Sequence, residues 1–390
     1  MKKILLLNKI SSSGLNLFNK EAYQLGDNID NPDAILVRSA SMHELTVNNN
    51  LLAVARAGAG VNNIPVESYT EKGIVVFNTP GANANSVKEL TLAALLLSAR
   101  NIVAGIQWVS NLNCDNIAKT VEKEKGAFEG IELAGKTLGV IGLGSIGVKV
   151  ANAAASSALK MNVIGCDPYL SIENAWNLSN KVKCAKGYDE IFKCSDFITL
   201  HIPMTKETQG IIGKDAFQKM KEGVRLINLS RAELVDSQAL KEAILHSKVI
   251  SYVTDFPAND TIGTQGIITI PHLGASTIES EENCAVYAVQ ELIDFLESGN
   301  IKNSVNFSNV SMKRKAGVRL CIIHRTVPTL LSKISSTIAS KKINVLEMAS
   351  AAKGNCVYTI IDLDADIISK EVLDSISSLD GVIRTRMISK

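Results

Sequence analysis

The stretch "TLGVIGLGSIGVKVANAA", residues 137–154, decides the fold of this chain of 390 residues. A short apolar run of strand composition leads into Gly142, Gly144 and Gly147, and a helical pattern follows. In such a loop the first glycine permits a tight turn, the second lets the backbone approach a pyrophosphate, and the third lets helix and strand pack closely. The stretch therefore predicts a dinucleotide site on a βαβ unit.

The helix that begins at this loop supplies the second part of the site. Its N-terminus presents unpaired N–H groups and a partial positive charge, so we expect Ser145 and Ile146 to bind the pyrophosphate with the glycines. Twenty residues after Gly147 the next strand ends at Asp167, in "IGCDPY". A carboxylate at this position accepts hydrogen bonds from the ribose hydroxyls and would repel a 2′-phosphate, which predicts NAD rather than NADP.

Apolar runs on both sides of this unit alternate with helical patterns. Between about 135 and 275 they include "DFITLHIP", "VRLINLS" and "VISYVTD", as is typical of a doubly wound parallel sheet. Residues 2 to about 100 repeat the pattern with "KILLL", "AILVRS" and "GIVVFNT". We predict an α/β fold in which a Rossmann-type NAD domain, residues 99–279, is inserted in a flavodoxin-like substrate domain, residues 1–98 and 280–307.

The last part of the chain has a different order of elements. Residues 308–316 are polar and basic, which predicts a linker. Residues 317–390 then read strand, helix, strand, strand, helix, strand, the order of a ferredoxin-like α+β domain.

Composition indicates which kinds of partner the protein binds and in which cellular compartment it is located. The net charge of +2 predicts no binding to nucleic acid. The apolar run near the start, Ile4 to Leu7, is too short for a signal sequence or a membrane span. Seven cysteines without C-x-x-C spacing favour reduced thiols and indicate neither a disulfide framework nor a metal site. We therefore expect a cytoplasmic protein that does not bind membranes.

Several motifs, in this order, resemble the D-isomer-specific 2-hydroxyacid dehydrogenases. They are "RAGAGVNNI", "NTPGANANSVKEL", "LAGKTLGVIGLGSIG", "HIPMTKETQGIIG", "LINLSRAELVD" and "IPHLGAS". The closing residues resemble an ACT domain, a regulatory module. Together the two resemblances imply NAD-dependent oxidation of 3-phospho-D-glycerate to 3-phosphohydroxypyruvate, the first step of L-serine biosynthesis. They also imply a homodimer or homotetramer.

The resemblance also implies roles for the substrate-side residues. Arg231 would orient the substrate, and His272 would be the acid and base. The loop of Gly58, Ala59 and Gly60 would offer backbone amides to the substrate carboxylate. The chemistry requires such groups, because the hydroxyl must lose a proton to a group that titrates near working pH, while a guanidinium binds the oxygens in a fork.

On the cofactor side, the resemblance places Asp167 at the ribose, Pro203 at the adenine and Asp255 near the nicotinamide amide. His201 ends a strand and is interpreted as a structural or cofactor-side residue. The remaining histidines are interpreted as ordinary surface or packing residues: His43, His246 and His324.

The acidic partner of His272 departs from the family pattern. The family has a glutamate in a "phenylalanine, proline, any residue, glutamate" context, whereas this chain reads "FPAND" and has Asn259 there. Asp260 follows one residue later, and we predict that it is the partner and raises the pKa of His272. Asp255 is the second candidate, and a neutral partner at Asn259 is the third.

A phosphorylated substrate requires arginine or lysine near the mouth of the site. The candidates are Arg38, Arg56, Lys123 and Lys125, although most basic residues are only solvated surface charges. Of the four, Arg56 is predicted to bind the substrate.

The ACT-like segment leaves two roles open. Members that bind serine usually have asparagine and a Pro-Gly step in the first loop, where this chain has Thr326 and Pro328-Thr329. Threonine would crowd a ligand there. The module therefore binds an amino-acid effector or serves only oligomerisation. For the whole chain, the alternatives are a glyoxylate/hydroxypyruvate reductase and, in another class, an NAD-sensing binding protein or corepressor.

Overall fold

A computed structural model describes residues 1–315 and 317–389 of the chain. The chain divides into two compact units, residues 1–83 with 278–390, and residues 84–277. Each unit is built on its own parallel sheet, and the first also contains an antiparallel sheet. This architecture confirms the predicted α/β fold class.

The parallel sheet of the first unit has the strand order β2-β1-β3-β4-β5, which is that of flavodoxin-like folds. Its elements are β1 (Lys2–Leu6), α1 (Ser12–Leu15), β2 (Tyr23–Gly26), β3 (Ala34–Val37), β4 (Ala53–Arg56), α2 (Val66–Glu71) and β5 (Val75–Phe77). Alternate residues of β3 enter two separate cores, because Ala34 and Leu36 face one side and Ile35 and Val37 the other. Burial on both faces explains why this strand is apolar throughout.

The second unit begins with three helices and continues as a seven-stranded parallel sheet of order β12-β11-β10-β9-β6-β7-β8. The helices are α3 (Ala84–Ala99), α4 (Ile102–Ser110) and α5 (Ile117–Glu124). The elements that follow are β6 (Thr137–Ile141), α6 (Ser145–Ala154), β7 (Asn162–Cys166), α7 (Ile172–Asn177), β8 (Val182–Cys184), α8 (Tyr188–Cys194), β9 (Phe197–Leu200), α9 (Lys214–Lys219), β10 (Val224–Asn228), α10 (Ser237–Leu245), β11 (Val249–Thr254) and β12 (Ile267–Thr269). The order reverses between β6 and β9, which makes their carboxyl ends the switch point where such sheets bind ligands.

Helix α3 belongs to the second unit. The sequence predicts instead that the first segment of the substrate domain extends to residue 98. Ala94, Leu95 and Ala99 are buried with Leu138 and Val140 of β6 in one apolar core. Since these contacts are made with the Rossmann-like sheet, the unit begins at residue 84.

The C-terminal residues form a four-stranded antiparallel sheet of order β14-β15-β13-β16. The elements after residue 277 are α11 (Ile278–Ser298), β13 (Val318–Arg325), α12 (Leu330–Ser340), β14 (Val345–Lys353), β15 (Cys356–Leu363), α13 (Lys370–Ser377) and β16 (Val382–Ile388). From β13 onward, their succession is the predicted ferredoxin-like order. Helices α12 and α13 pack on one face of the sheet. The other face shares an apolar core with Phe295 of α11 and with Phe307, which precedes β13.

No single helix among the described residues is long and apolar enough to cross a membrane. Helices α3 and α4 meet that criterion only when taken together, and a bend of 70° separates them.

Candidate active site

The glycine loop after β6 has the close contacts that the motif requires. Gly142 has a φ of +92°, and a Cβ there would lie 2.5 Å from the carbonyl oxygen of His201. A Cβ on Gly147 would lie 2.0 Å from the carbonyl oxygen of Gly142, so only glycine lets α6 approach the loop. A Cβ on Gly144, in contrast, would meet no atom within 4 Å, which leaves the space over the start of α6 open. These residues therefore fit a pyrophosphate.

Asp167 is held at the end of β7 in a position that suits a ribose. Its Oδ2 accepts a hydrogen bond from the backbone N–H of Leu143 at 2.8 Å, and its Oδ1 accepts one from that of Tyr169 at 2.8 Å. Each carboxylate oxygen has a second lone pair that can accept a ribose hydroxyl. The two amides fix the carboxylate, so the acid that the sequence assigns to NAD is oriented before any ligand binds.

His201 and Pro203 follow β9 at the same edge of the sheet. The Nε2 of His201 lies 3.0 Å from the hydroxyl of Thr199, while its Nδ1 is buried without a partner in the described residues. Burial lowers the pKa of His201 to about 4, so the ring is neutral at physiological pH. Pro203 is exposed, and its carbonyl accepts a hydrogen bond from the hydroxyl of Thr208 at 2.7 Å.

His272 is paired with Asp255, the first residue after β11. The Nδ1 of His272 lies 3.0 Å from Oδ2 of Asp255, whose side chain is 0% exposed, whereas that of His272 is 62% exposed. Contact with this carboxylate raises the pKa of His272 above its ordinary value, against the opposing effects of burial and of the charge on Arg231. The ring of Phe256 lies 5.0 Å from that of His272 and limits its position.

Arg231 follows β10, the strand that pairs with β11. The side-chain amide of Asn228 donates to the carbonyl of Arg231 at 2.8 Å, which anchors the backbone at the strand end. The Arg231 side chain is exposed, and its charge acts on His272. The second unit therefore brings Arg231, His272 and Asp255 together at the carboxyl edge of one sheet.

The prediction that Asp260 is the partner of His272 is wrong. Asp260 is exposed, and its Oδ2 lies 3.1 Å from Nζ of Lys241 on α10. The reason is a turn in which the N–H of Thr261 donates to the carbonyl of Ala258 at 3.0 Å, which directs Asp260 toward α10. The sequence contained evidence for Asp255, since adjacent parallel strands end at one edge of the sheet and Asp255 directly follows β11.

In the first unit, Arg56 lies against the loop that the sequence assigns to the substrate. A Cβ on Gly58 would lie 2.8 Å from Nη1 of Arg56, and Nε of Arg56 donates to the carbonyl of Arg38 at 3.0 Å. Arg38 forms an ion pair with Glu281. The loop is fixed at its far side because the Asn78 side chain donates to the carbonyl of Ala59 at 2.6 Å.

The other basic candidates lie on or next to the exposed helix α5. Lys123 and Lys125 are exposed, and Nζ of Lys125 lies 2.6 Å from the carboxylate of Glu122. They belong to the second unit, whereas Arg56 and Gly58 belong to the first.

The chain is similar to known proteins over most of its length. The family model "D-isomer specific 2-hydroxyacid dehydrogenase, NAD binding domain" matches residues 92–274. The D-3-phosphoglycerate dehydrogenase of Archaeoglobus fulgidus is 38% identical over 288 residues, which cover 71% of this chain and 52% of that protein. The protein of the same name from Bacillus subtilis is 30% identical over 391 residues, covering 96% of this chain and 70% of that one.

Among solved structures, NAD⁺-bound 3-phosphoglycerate dehydrogenase from Entamoeba histolytica superposes with a TM-score of 0.61 at 25% identity, covering 78% of this chain and 98% of that one. The chain thus spans about half the length of the Archaeoglobus relative and most of the Entamoeba structure. The predicted cofactor, NAD, is confirmed by the family match. The chain belongs to the D-isomer specific 2-hydroxyacid dehydrogenases.

Proposed function

We propose that the chain catalyses the NAD-dependent oxidation of 3-phospho-D-glycerate to 3-phosphohydroxypyruvate, the step that opens L-serine biosynthesis. The observation that carries the proposal is the pairing of His272 with the buried carboxylate of Asp255, beside the charge of Arg231. The relatives that bear this activity in their names support the choice of substrate.

In this proposal His272 is the base. Asp255 faces Nδ1 and holds the proton on that nitrogen, which leaves the lone pair of Nε2 available to take the proton of the substrate hydroxyl. Bound NAD supplies the acceptor for the hydride that leaves C2. As the ring becomes charged, the nearby carboxylate stabilises the imidazolium, and the same proton is returned in the reverse reaction.

Arg231 orients the substrate through a forked pair of hydrogen bonds to its carboxylate and the oxygen at C2. This guanidinium also favours the increase in negative charge on the C2 oxygen when the carbonyl is reduced. Its charge lowers the pKa of His272 and thereby moderates the effect of Asp255.

For binding, we assign the backbone amides of Gly58, Ala59 and Gly60 to the substrate carboxylate and Arg56 to its anionic groups. Arg56 qualifies because its guanidinium lies directly over Gly58. On the cofactor side, Ser145 and Ile146 begin α6, Asp167 binds the ribose and Pro203 lines the adenine.

The assembly and compartment are part of the same proposal. We assign the C-terminal residues to an ACT-like module that binds an amino-acid effector or joins subunits in a homodimer or homotetramer. The four-stranded antiparallel sheet with two helices on one face, in the order βαββαβ from β13 onward, supports the assignment of such a module. A cytoplasmic location is consistent with all seven cysteines being free thiols.

The experiment is a parallel assay of NADH absorbance with NAD⁺ plus 3-phosphoglycerate, NADH plus glyoxylate or hydroxypyruvate, and NAD⁺ plus D-lactate. We expect the highest kcat/KM with 3-phosphoglycerate. A preference for glyoxylate or hydroxypyruvate would replace the proposal with a reductase. Binding of NAD⁺ without turnover of any substrate would favour an NAD-sensing binding protein.

A further inference from the structure

An open cleft of about 390 Å³ lies within the unit formed by residues 1–83 and 278–390. Three segments enclose it: the residue after β5, the segment that follows α11, and the end of β14. The lining residues are Asn78, Asn303, Ser304, Phe307, Ser308, Asn309 and Lys353. None of them is a predicted catalytic or binding residue, although Asn78 also contacts the substrate loop, and five of the seven side chains are amides or hydroxyls.

Hydrogen bonds hold the polar wall of this cleft in place. Asn303 is central: its backbone N–H donates to Oδ1 of Asn309 at 3.0 Å, and its side-chain amide donates to Oε1 of Glu291 at 2.8 Å. The hydroxyl of Ser308 donates to the carbonyl of Ala352 at 2.7 Å, which joins this segment to β14. These bonds hold the wall of the cleft in a fixed arrangement.

Lys353 gives the cleft an uncompensated positive charge. Its Nζ donates to the carbonyl of Ser304 at 3.2 Å, and no carboxylate in the described residues forms an ion pair with it. The acid bonded to the cleft wall is Glu291, and burial raises the pKa of its carboxyl to about 8. At neutral pH this carboxyl is mostly protonated, so it does not offset the lysine.

We infer that this cleft binds a small oxyanion, a carboxylate or a phosphate carried on a hydroxylated compound, with Lys353 as the charge that selects it. An ammonium contributes two further donors after its bond to Ser304, and amides and hydroxyls suit the polar remainder of such a ligand. The open shape of the cleft admits a ligand without rearrangement of the wall.

Occupation of the cleft acts on the substrate loop. The backbone N–H of Asn78 donates to the carbonyl of Asn303 at 3.4 Å, and the side chain of Asn78 donates to the carbonyl of Ala59 at 2.6 Å. One residue therefore contacts both the cleft wall and the loop. The effect on substrate binding rests on the proposed function, whereas anion binding does not.

The test is calorimetric titration of the full chain, without cofactor or substrate, with inorganic phosphate and separately with malonate. Lys353→Met removes the charge and keeps the aliphatic stem. Lys333→Met is the matched control, because Lys333 is an exposed lysine on α12 of the same module. We expect Lys353→Met to weaken binding by about tenfold to a hundredfold, as loss of one charge-assisted hydrogen bond does, and Lys333→Met to leave it unchanged.

Hydrogen exchange at the amides of residues 58–60 provides the second readout. We expect the anion to slow exchange there in the unmodified chain and in Lys333→Met, but not in Lys353→Met. The anion that binds identifies the class as carboxylate or phosphate. The inference is overturned if neither anion binds or if Lys353→Met binds both as tightly as the unmodified chain. Neither readout requires turnover, so failure here is distinct from failure of the proposed function.

Discussion

Asp255 and Asp362 are both buried carboxylates, yet they differ in how many donors surround them. Asp362 is 2% exposed and accepts hydrogen bonds from Nε and Nη2 of Arg319 at 2.7 and 2.9 Å. It also accepts one from the backbone N–H of Lys315 at 3.3 Å. Asp255 is 0% exposed, and within the described residues neither of its oxygens accepts a hydrogen bond of full geometry, although Oδ2 lies 3.0 Å from Nδ1 of His272.

This difference distinguishes a carboxylate that stabilises the fold from one that takes part in proton transfer. A buried carboxylate that is surrounded by fixed donors holds its neighbours in place. Arg319 also donates to the carbonyls of Ser298 and Met312, so this pair fastens β13 to the end of α11. Asp255 instead faces a solvent-exposed ring that can gain and lose a proton, and its environment changes with each transfer.

The largest effect is expected at the ring itself. His272→Asn should lower kcat/KM for 3-phosphoglycerate oxidation by about 10³, within the usual contribution of general acid–base catalysis. The thermal unfolding midpoint should hardly change, because the side chain is 62% exposed. His246→Asn, at an exposed position after α10, is the control and should match the unmodified enzyme. An equal decrease of kcat/KM in both variants would contradict the role of His272 as the acid and base.

Arg319→Met tests the structural role of the Arg319–Asp362 pair. It leaves Asp362 buried without its bidentate partner, and we expect the free energy of unfolding to fall by about 3–5 kcal/mol. Urea denaturation at pH 7 measures it. The double variant Arg319→Met/Asp362→Leu should recover most of the loss, since it also removes the uncompensated charge. A double variant as unstable as the single one would contradict the structural role of the pair.

Asp255→Asn should affect catalysis more than stability. We expect kcat to fall by about tenfold to a hundredfold, because the amide no longer stabilises the imidazolium. Oxidation needs the neutral ring, so its rate falls as pH drops through the pKa of His272. The carboxylate raises that pKa, so its removal should move the acidic limb of the pH–rate profile to lower pH. A limb that stays in place would show that Asp255 does not control the ring.

Asp260→Asn is the matched control and the smallest expected change. Hydrogen bonds from Ser237 and Lys241 lower the pKa of this exposed carboxyl, and neither residue belongs to the site. Turnover should remain within about twofold of the unmodified enzyme, as expected for an exposed ion pair. A loss as large as that of Asp255→Asn would restore Asp260 as the acidic partner.

Local patterns were sufficient for the features that depend on neighbouring residues. The glycine spacing and the strand before it predicted the strand–loop–helix unit, and the position of Asp167 after the next strand was predicted too, whereas its role at the ribose stays a prediction. The parallel sheets and the closing βαββαβ order followed from the succession of apolar runs, because burial on both faces makes such strands apolar throughout.

The partner of His272 could not be derived in this way. Its identity depends on the path of residues 256–271, and the turn between Ala258 and Thr261 directs Asp260 to Lys241. The place of α3 is a second case. Its composition indicates a buried helix, but only packing against α6, β10 and β11 assigns it to the second unit.

The most direct test of the central claim is the pKa of His272, measured by NMR titration of its ring protons in the unmodified chain and in Asp255→Asn. We expect a value above the ordinary value of about 6.5 in the unmodified chain, because of the contact with Asp255, and a lower value in the variant. The same pKa in both proteins would contradict the pairing on which the proposed mechanism depends.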